Sequence, residues 1–245
     1  MPTVNIAEGE LYYETRGSGS DVLVWLHAFG CSLREWDDVI PRLDGYTSIA
    51  IDMPGFGQSA AAGKGCHIPD LAASVIGALD QLGVRRFTCV GHSMGGGVAL
   101  RLAIDHPERV QAVVGVASLP AHGTPRRPDS EAMVEGFAGA YGNRADLDAG
   151  VHQLTTYDIE HWNNQMVEDM LRVREDAWMD WLRAGNTFWS QEDELAAVSV
   201  SCCYLIPGND LVLPPEDQLR TARDIPGGRA VILNGYGHLL PGENP

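Results

Sequence analysis

Ser93 lies in Gly91-His92-Ser93-Met94-Gly95, directly after the run Phe87-Thr88-Cys89-Val90 and at the head of a helix-spaced stretch over residues 94–104. A serine between an apolar strand and a helix, with glycine two positions away on each side, is the arrangement that presents a hydroxyl as a nucleophile. The glycines have a physical role. A sharp turn holds the serine in strained backbone geometry, and a side chain at 91 or 95 would collide with the neighbouring strand or helix. A serine hydroxyl is a poor nucleophile near neutral pH unless a base removes its proton, so the chemistry requires a histidine and an acid that holds its tautomer. Asp210, in Gly208-Asn209-Asp210, and His238, in Gly235-Tyr236-Gly237-His238, supply both in the chain order Ser, Asp, His. Acyl transfer also needs donors aimed at the developing oxyanion, and the backbone N–H of Met94 is expected to be one.

The elements that must position these groups read as an α/β alternation. Val22-Leu23-Val24-Trp25-Leu26-His27 is a short, nearly all-apolar run, the pattern of a strand buried on both faces. Similar runs recur at 47–52, 87–91, 110–117, 200–207 and 229–233, after a hairpin-like start around 10–16. Helical spacing appears over 33–43, 69–82 and 94–104. This predicts an α/β fold with a mostly parallel central sheet flanked by helices. The rhythm breaks after Leu119, where Pro120, Pro125 and Pro128 open a loop followed by polar helical segments rich in Trp, Met and Glu. Residues 120–199 are therefore expected to be an inserted helical cap, and 1–119 with 200–245 the core. Four of the six tryptophans fall in the cap. Trp162, Trp178 and Trp181, with Phe188, are candidates for an apolar substrate wall, or for the cap's own core.

Composition narrows the class. The 245 residues suffice for one sizeable core, and 17 basic against 33 acidic residues give a formal net charge of −16. Such a surface repels phosphate backbones and anionic lipid, so neither nucleic acid nor a membrane surface is an expected partner. No apolar stretch approaches the roughly 20 residues of a membrane span, and the start lacks a basic-then-apolar secretory pattern, which predicts a soluble, cytoplasmic protein. Cys31, Cys66, Cys89, Cys202 and Cys203 form no CxxC pair, and free, mostly buried thiols are expected. The eight histidines show no HExxH or His/Cys cluster at zinc spacing, so neither a metal nor a cofactor is expected.

Taken together, Leu26-His27-Ala28-Phe29-Gly30, Asp52-Met53-Pro54-Gly55-Phe56-Gly57-Gln58-Ser59, Gly91-His92-Ser93-Met94-Gly95-Gly96, His106-Pro107-Glu108-Arg109-Val110 and Gly237-His238 resemble the α/β-hydrolases of the esterase, lactonase and C–C hydrolase group over nearly the whole chain. The resemblance implies Ser93 as nucleophile, His238 as general base and then acid, and Asp210 as the orienting carboxylate. It also implies the backbone N–H of Phe29 as second oxyanion donor, His27 as a brace for that loop, and packing roles for His92 and His106. Three features depart from the family pattern. Ala28 stands where glycine is usual and would be strained at positive φ. One residue rather than two separates Gly208 from Asp210. The chain stops at Pro245, where family members begin a last helix, which leaves an apolar patch expected to be exposed. The expected activity is cleavage of a small or medium carboxylic ester through an acyl-enzyme. Rivals with the same machinery are a lactonase, a C–C bond hydrolase, a thioesterase and a carrier-protein methyl ester esterase. The rival of another class is a slow or non-catalytic ligand-binding receptor.

Overall fold

A computed structural model describes residues 2–7, 9–59, 66–123, 130–157, 159–183 and 189–245. Pro125, Pro128 and Phe188 lie outside the described residues. Among those described, eight strands form one sheet: β1 (Thr3–Ile6), β2 (Gly9–Gly17), β3 (Asp21–Leu26), β4 (Tyr46–Ile51), β5 (Phe87–His92), β6 (Val110–Val116), β7 (Ser201–Pro207) and β8 (Arg229–Leu233). Their order is β1-β2-β4-β3-β5-β6-β7-β8. β1 and β2 form an antiparallel hairpin and β2 pairs antiparallel with β4, while every pairing from β4 to β8 is parallel.

Side-chain alternation explains why the parallel strands read as unbroken apolar runs. Along β3, Val24 and Leu26 point into one core and Leu23 and Trp25 into the other. The first core lies under α1 (Ile68–Gln81), α2 (Met94–Asp105) and α7 (Pro215–Asp224). The opposite face carries the turns Leu33–Trp36 and Ile40–Arg42, together with α8 (Leu240–Glu243). Beside these short elements runs an apolar groove of about 510 Å³, floored by Leu23, Val90, Val114, Val116 and Leu205.

The single helix expected over 33–43 is instead two 3-10 turns. Their hydrogen bonds reach back three residues, from Glu35 N–H to Ser32 O, Asp37 N–H to Arg34 O and Arg42 N–H to Val39 O. Pro41 has no N–H to give, and in an α-helix its ring would clash with the Asp37 carbonyl. Between β6 and β7 the chain forms α3 (Ser130–Gly139), α4 (Arg144–His152), α5 (Glu160–Met170) and α6 (Glu175–Arg183), then the 3-10 turn Glu192–Ala197. Cys31, Cys89, Cys202 and Cys203 are free thiols, the Cys66 thiol donates to Pro54 O, and all but Cys203 are buried. No helix among the described residues is long and apolar enough to cross a membrane.

Candidate active site

The turn between β5 and α2 holds Ser93 at φ 50°, ψ −112°, a conformation costly for a residue with a Cβ. Neighbouring backbone fixes it: Ser93 N–H donates to Val116 O at 3.0 Å, and Leu119 N–H donates to Ser93 O at 2.9 Å. The flanking glycines are required by close approach. A Cβ on Gly91 would strike the carbonyl of Gly95, and one on Gly95 would strike the carbonyls of Leu26 and His27.

The loops after β7 and β8 bring Asp210 and His238 to this turn. His238 Nε2 is 3.1 Å from Ser93 Oγ, and His238 Nδ1 is 2.9 Å from Asp210 Oδ2. Asp210 has all its acceptor capacity engaged. Its Oδ1 accepts the N–H groups of Val212 and Leu213, each at 2.9 Å, and its Oδ2 also accepts Gln218 Nε2 at 3.0 Å. Burial pushes the Asp210 carboxyl up, but the His238 imidazole and the two N–H groups outweigh it and hold it below its ordinary value. An ionised Asp210 only accepts, so Nδ1 of His238 carries a hydrogen, and in the neutral imidazole that leaves Nε2 as the acceptor for the serine hydroxyl. One residue between Gly208 and Asp210 thus leaves the carboxylate within reach of the histidine.

The loop after β3 passes beside the serine. Ala28 escapes strain, since among the described residues only Ser93 and Ala117 are non-glycine positions with positive φ, and Gly30 takes the left-handed turn at φ 82°. The Ala28 carbonyl accepts His27 Nδ1 at 2.7 Å and Cys31 N–H at 3.1 Å. His27 Nε2 accepts Met53 N–H at 3.0 Å, so the ring is neutral with its proton on Nδ1, and burial pushes its pKa down accordingly. Because a trans peptide points N–H opposite to C=O, clamping the Ala28 carbonyl fixes the direction of the Phe29 N–H. Among the described residues, neither the Phe29 nor the Met94 N–H has a protein acceptor.

Ser93 and His238 open into a cavity of about 110 Å³ whose remaining wall is apolar: Ala28, Phe29, Leu119 and Leu213 from below, and Phe137, Met166, Met170, Trp181 and Leu182 from α3, α5 and α6. Of the aromatic residues expected on that wall, Trp181 is there. Trp178 stands behind it, fully buried, with its ring 4.8 Å from Phe29 and its Nε1 donating to Phe137 O at 3.0 Å. Trp162 packs beside Gly242 of α8, in a closely packed region it shares with Cys31 and Glu35. Both tryptophans belong to the buried core instead, and Phe29 and Met166, not they, line the cavity beside the serine.

Sequence reasoning missed Gln218 and Glu35. Gln218 holds Asp210 from α7, where it reads as one polar residue of an amphipathic helix. Glu35 accepts the Ala28 N–H at 3.0 Å, yet in the sequence it belongs to an apparently solvated cluster with Asp37 and Asp38. His106 is half-buried at the end of α2, away from the serine cavity.

A parallel sheet with a strained serine after its central strand and an acid and histidine after the two last strands is the architecture of the alpha/beta hydrolase fold. The model of that family matches residues 21–245, and the chain belongs to it. Among curated proteins it is similar to the dihydrolipoyllysine-residue acetyltransferase component of the acetoin cleaving system of Cupriavidus necator, 36% identical over 163 residues, or 66% of this chain. The chain spans only 42% of the length of that relative. It is also similar to a 2-hydroxy-6-oxononadienedioate/2-hydroxy-6-oxononatrienedioate hydrolase of a Pseudomonas species, 25% identical and covering 98% of this chain and 91% of that protein. Among solved structures, Est816, described as an N-acyl homoserine lactone degrading enzyme, matches at TM-score 0.84 and 25% identity over 100% of this chain and 96% of that one.

Proposed function

We propose that the chain is a serine hydrolase that cleaves a small carboxylic ester through an acyl-enzyme, with Ser93, His238 and Asp210 as its triad and residues 120–199 as a cap. The observation that carries this reading is the hydrogen-bonded relay from Asp210 through His238 to Ser93, ending at an apolar cavity. In the first step Ser93 Oγ bonds to the ester carbon while its proton passes to His238 Nε2. The carbonyl electrons move onto oxygen, which takes the N–H groups of Phe29 and Met94; each such donor is worth about 10²–10³ in rate. The intermediate collapses as His238 returns the proton to the departing alcohol. Water then attacks the acyl carbon with His238 as base, and the acid leaves with Ser93 regenerated.

Cavity size and lining bear on the substrate. About 110 Å³ is well below the roughly 300 Å³ at which drug-sized ligand sites begin, which favours a short acyl group. The Pseudomonas relative is named for a dicarboxylate, a class best held by arginine or lysine. Among the described residues the cavity wall has no cationic side chain, which favours a neutral ester or lactone over C–C cleavage of a dianion.

The test is a time course of p-nitrophenyl acetate, butyrate and octanoate hydrolysis by wild type, Ser93→Ala and His238→Ala. Repeated turnover is expected for the two short esters, and each variant is expected to lose about 10³-fold or more. A folded wild type that gives one stoichiometric burst and then stops would favour the receptor reading, and a Ser93→Ala variant as active as wild type would end the serine mechanism.

A further inference from the structure

We propose that Glu35 and His92 form a buried imidazolium–carboxylate pair that positions the oxyanion loop and His238 against Ser93. The role rests on the reading of Ser93 as nucleophile. Three loops that meet at the site have no covalent connection there, and this pair joins all three. Glu35 Oε2 accepts the Ala28 N–H at 3.0 Å in the loop after β3, and Glu35 Oε1 is 2.6 Å from His92 Nδ1 at the end of β5. His92 Nε2 is 2.9 Å from the backbone carbonyl of His238, after β8. Glu35 is 2% exposed and His92 0%, so bulk solvent does not reach these contacts.

The partners fix the proton inventory. The His238 carbonyl can only accept, so His92 Nε2 carries a hydrogen. Ala28 N–H can only donate, so Glu35 Oε2 is bare. One further proton lies between His92 Nδ1 and Glu35 Oε1, and the pair as a whole is neutral, which is what a buried site tolerates. Burial pushes the His92 imidazole down, but the charge and hydrogen bond of Glu35 outweigh it and raise it. Burial likewise pushes the Glu35 carboxyl up, and His92 outweighs it and lowers it. The shared proton therefore resides on His92.

Each contact has a consequence at the site. Glu35 holds the peptide before Ala28, while His27 and Cys31 hold the next one, so the Phe29 N–H is aimed by two clamped peptides in succession. His92 sets the height of the His238 backbone, from which the ring reaches Ser93; the two histidine rings lie 5.1 Å apart. Glu35 and His92 are positioning residues, since neither lines the cavity.

The test compares Glu35→Gln, Glu35→Leu and His92→Phe in the full chain, using p-nitrophenyl butyrate and 15N-histidine NMR at neutral pH. Glutamine reproduces every contact, its amide oxygen accepting Ala28 N–H and its amide N–H donating to a neutral His92. Glu35→Gln is therefore expected to keep kcat within about tenfold, while Glu35→Leu loses on the order of 100-fold in kcat with KM held within about threefold. His92→Phe keeps the ring volume, removes both nitrogens and serves as the second disruption if Glu35→Leu does not fold. The NMR readout needs no turnover. His92 is expected doubly protonated in wild type and singly in Glu35→Gln, and the His238 ring signals are expected to move further in Glu35→Leu or His92→Phe than in Glu35→Gln. A singly protonated His92 in wild type overturns the ion pair. Unmoved His238 signals in the disrupted variants, or kcat values equal to wild type, overturn the positioning role. A wild type silent toward every ester, by contrast, defeats the hydrolase reading and leaves the NMR outcome to decide the pair.

Discussion

Asp52 and Asp210 are both buried carboxylates near the site, and their surroundings send them in opposite directions. Asp52, after β4, accepts Leu33 N–H at 2.6 Å and Gln58 N–H at 2.7 Å. Burial dominates and pushes its pKa up to about 6, against the pull of those two donors. A carboxyl that binds its proton more tightly folded than unfolded, where the value is about 3.9, stabilises the fold at low pH and loses that advantage as pH rises from about 4 through about 6. The gap corresponds to roughly 3 kcal/mol. Asp52→Asn cannot ionise, so the unfolding free energy of wild type relative to this variant should fall by about that amount between roughly pH 4 and pH 7. Urea unfolding at fixed pH values checks it; parallel curves for the two proteins would refute the assignment. A constant offset of about 1–3 kcal/mol is separate, because the asparagine amide places a donor against a donor. Asp210 behaves oppositely, with its contribution present at neutral pH and lost as pH falls through its depressed value. The sequence made Asp210 legible through its place after a strand and before His238. Glu35 was illegible, because a buried acid and a solvated one look alike until the residue opposite, His92, is brought 57 positions along the chain to meet it.

At the scale of elements, the strand–turn–helix around Ser93 was readable because its requirement is local. Gly91 and Gly95 are dictated by backbone a few residues away or in the adjoining strand. Gly95→Ala places a methyl against the carbonyls of Leu26 and His27, neither of which is a flexible side-chain end. The expected cost is about 3 kcal/mol, which for a chain of this size lowers Tm by roughly 6–12 °C. Gly150 is the control: it lies within α4 and a Cβ there meets nothing within 4 Å. Gly150→Ala should therefore raise stability by about 0.5–1 kcal/mol through helix propensity alone. Calorimetry of both variants gives the comparison, and equal shifts in one direction would show that close approach at Gly95 is not the cause. Residues 33–43 show why other elements were less readable. Their apolar spacing suits a helix, but Pro41 and the pull of Asp52 on the Leu33 N–H break the ladder into 3-10 turns. That tighter path also puts Glu35 under the Ala28 peptide.

For the whole molecule, the decisive quantity is the imbalance of 33 acidic against 17 basic residues. Many arginines already have acidic partners: Arg16 with Glu14 and Asp37, Arg101 with Asp105 and Glu194, Arg109 with Asp80, Arg220 with Glu192 and Asp224. Such pairs, largely at the surface, are worth about 0–1 kcal/mol each, and salt weakens them. The uncompensated charge of −16 works the other way, because folding gathers it onto one compact surface and self-repulsion favours the extended chain. Salt shortens the reach of that repulsion from about 30 Å at 0.01 M to about 10 Å at 0.1 M, a change that spans the distances between charges on a domain this size. Repulsion summed over all pairs of a large excess charge outweighs the few pairwise attractions, so stability should rise with salt at first. The expected gain between about 0.01 and 0.1 M sodium chloride is on the order of 1 kcal/mol, or roughly 2–4 °C in Tm, with little further change once screening is shorter than the typical charge separation. A thermal melt series in sodium chloride measures it. A Tm that falls from the first addition of salt would mean that the arginine pairs, not the net charge, govern the electrostatics of the fold.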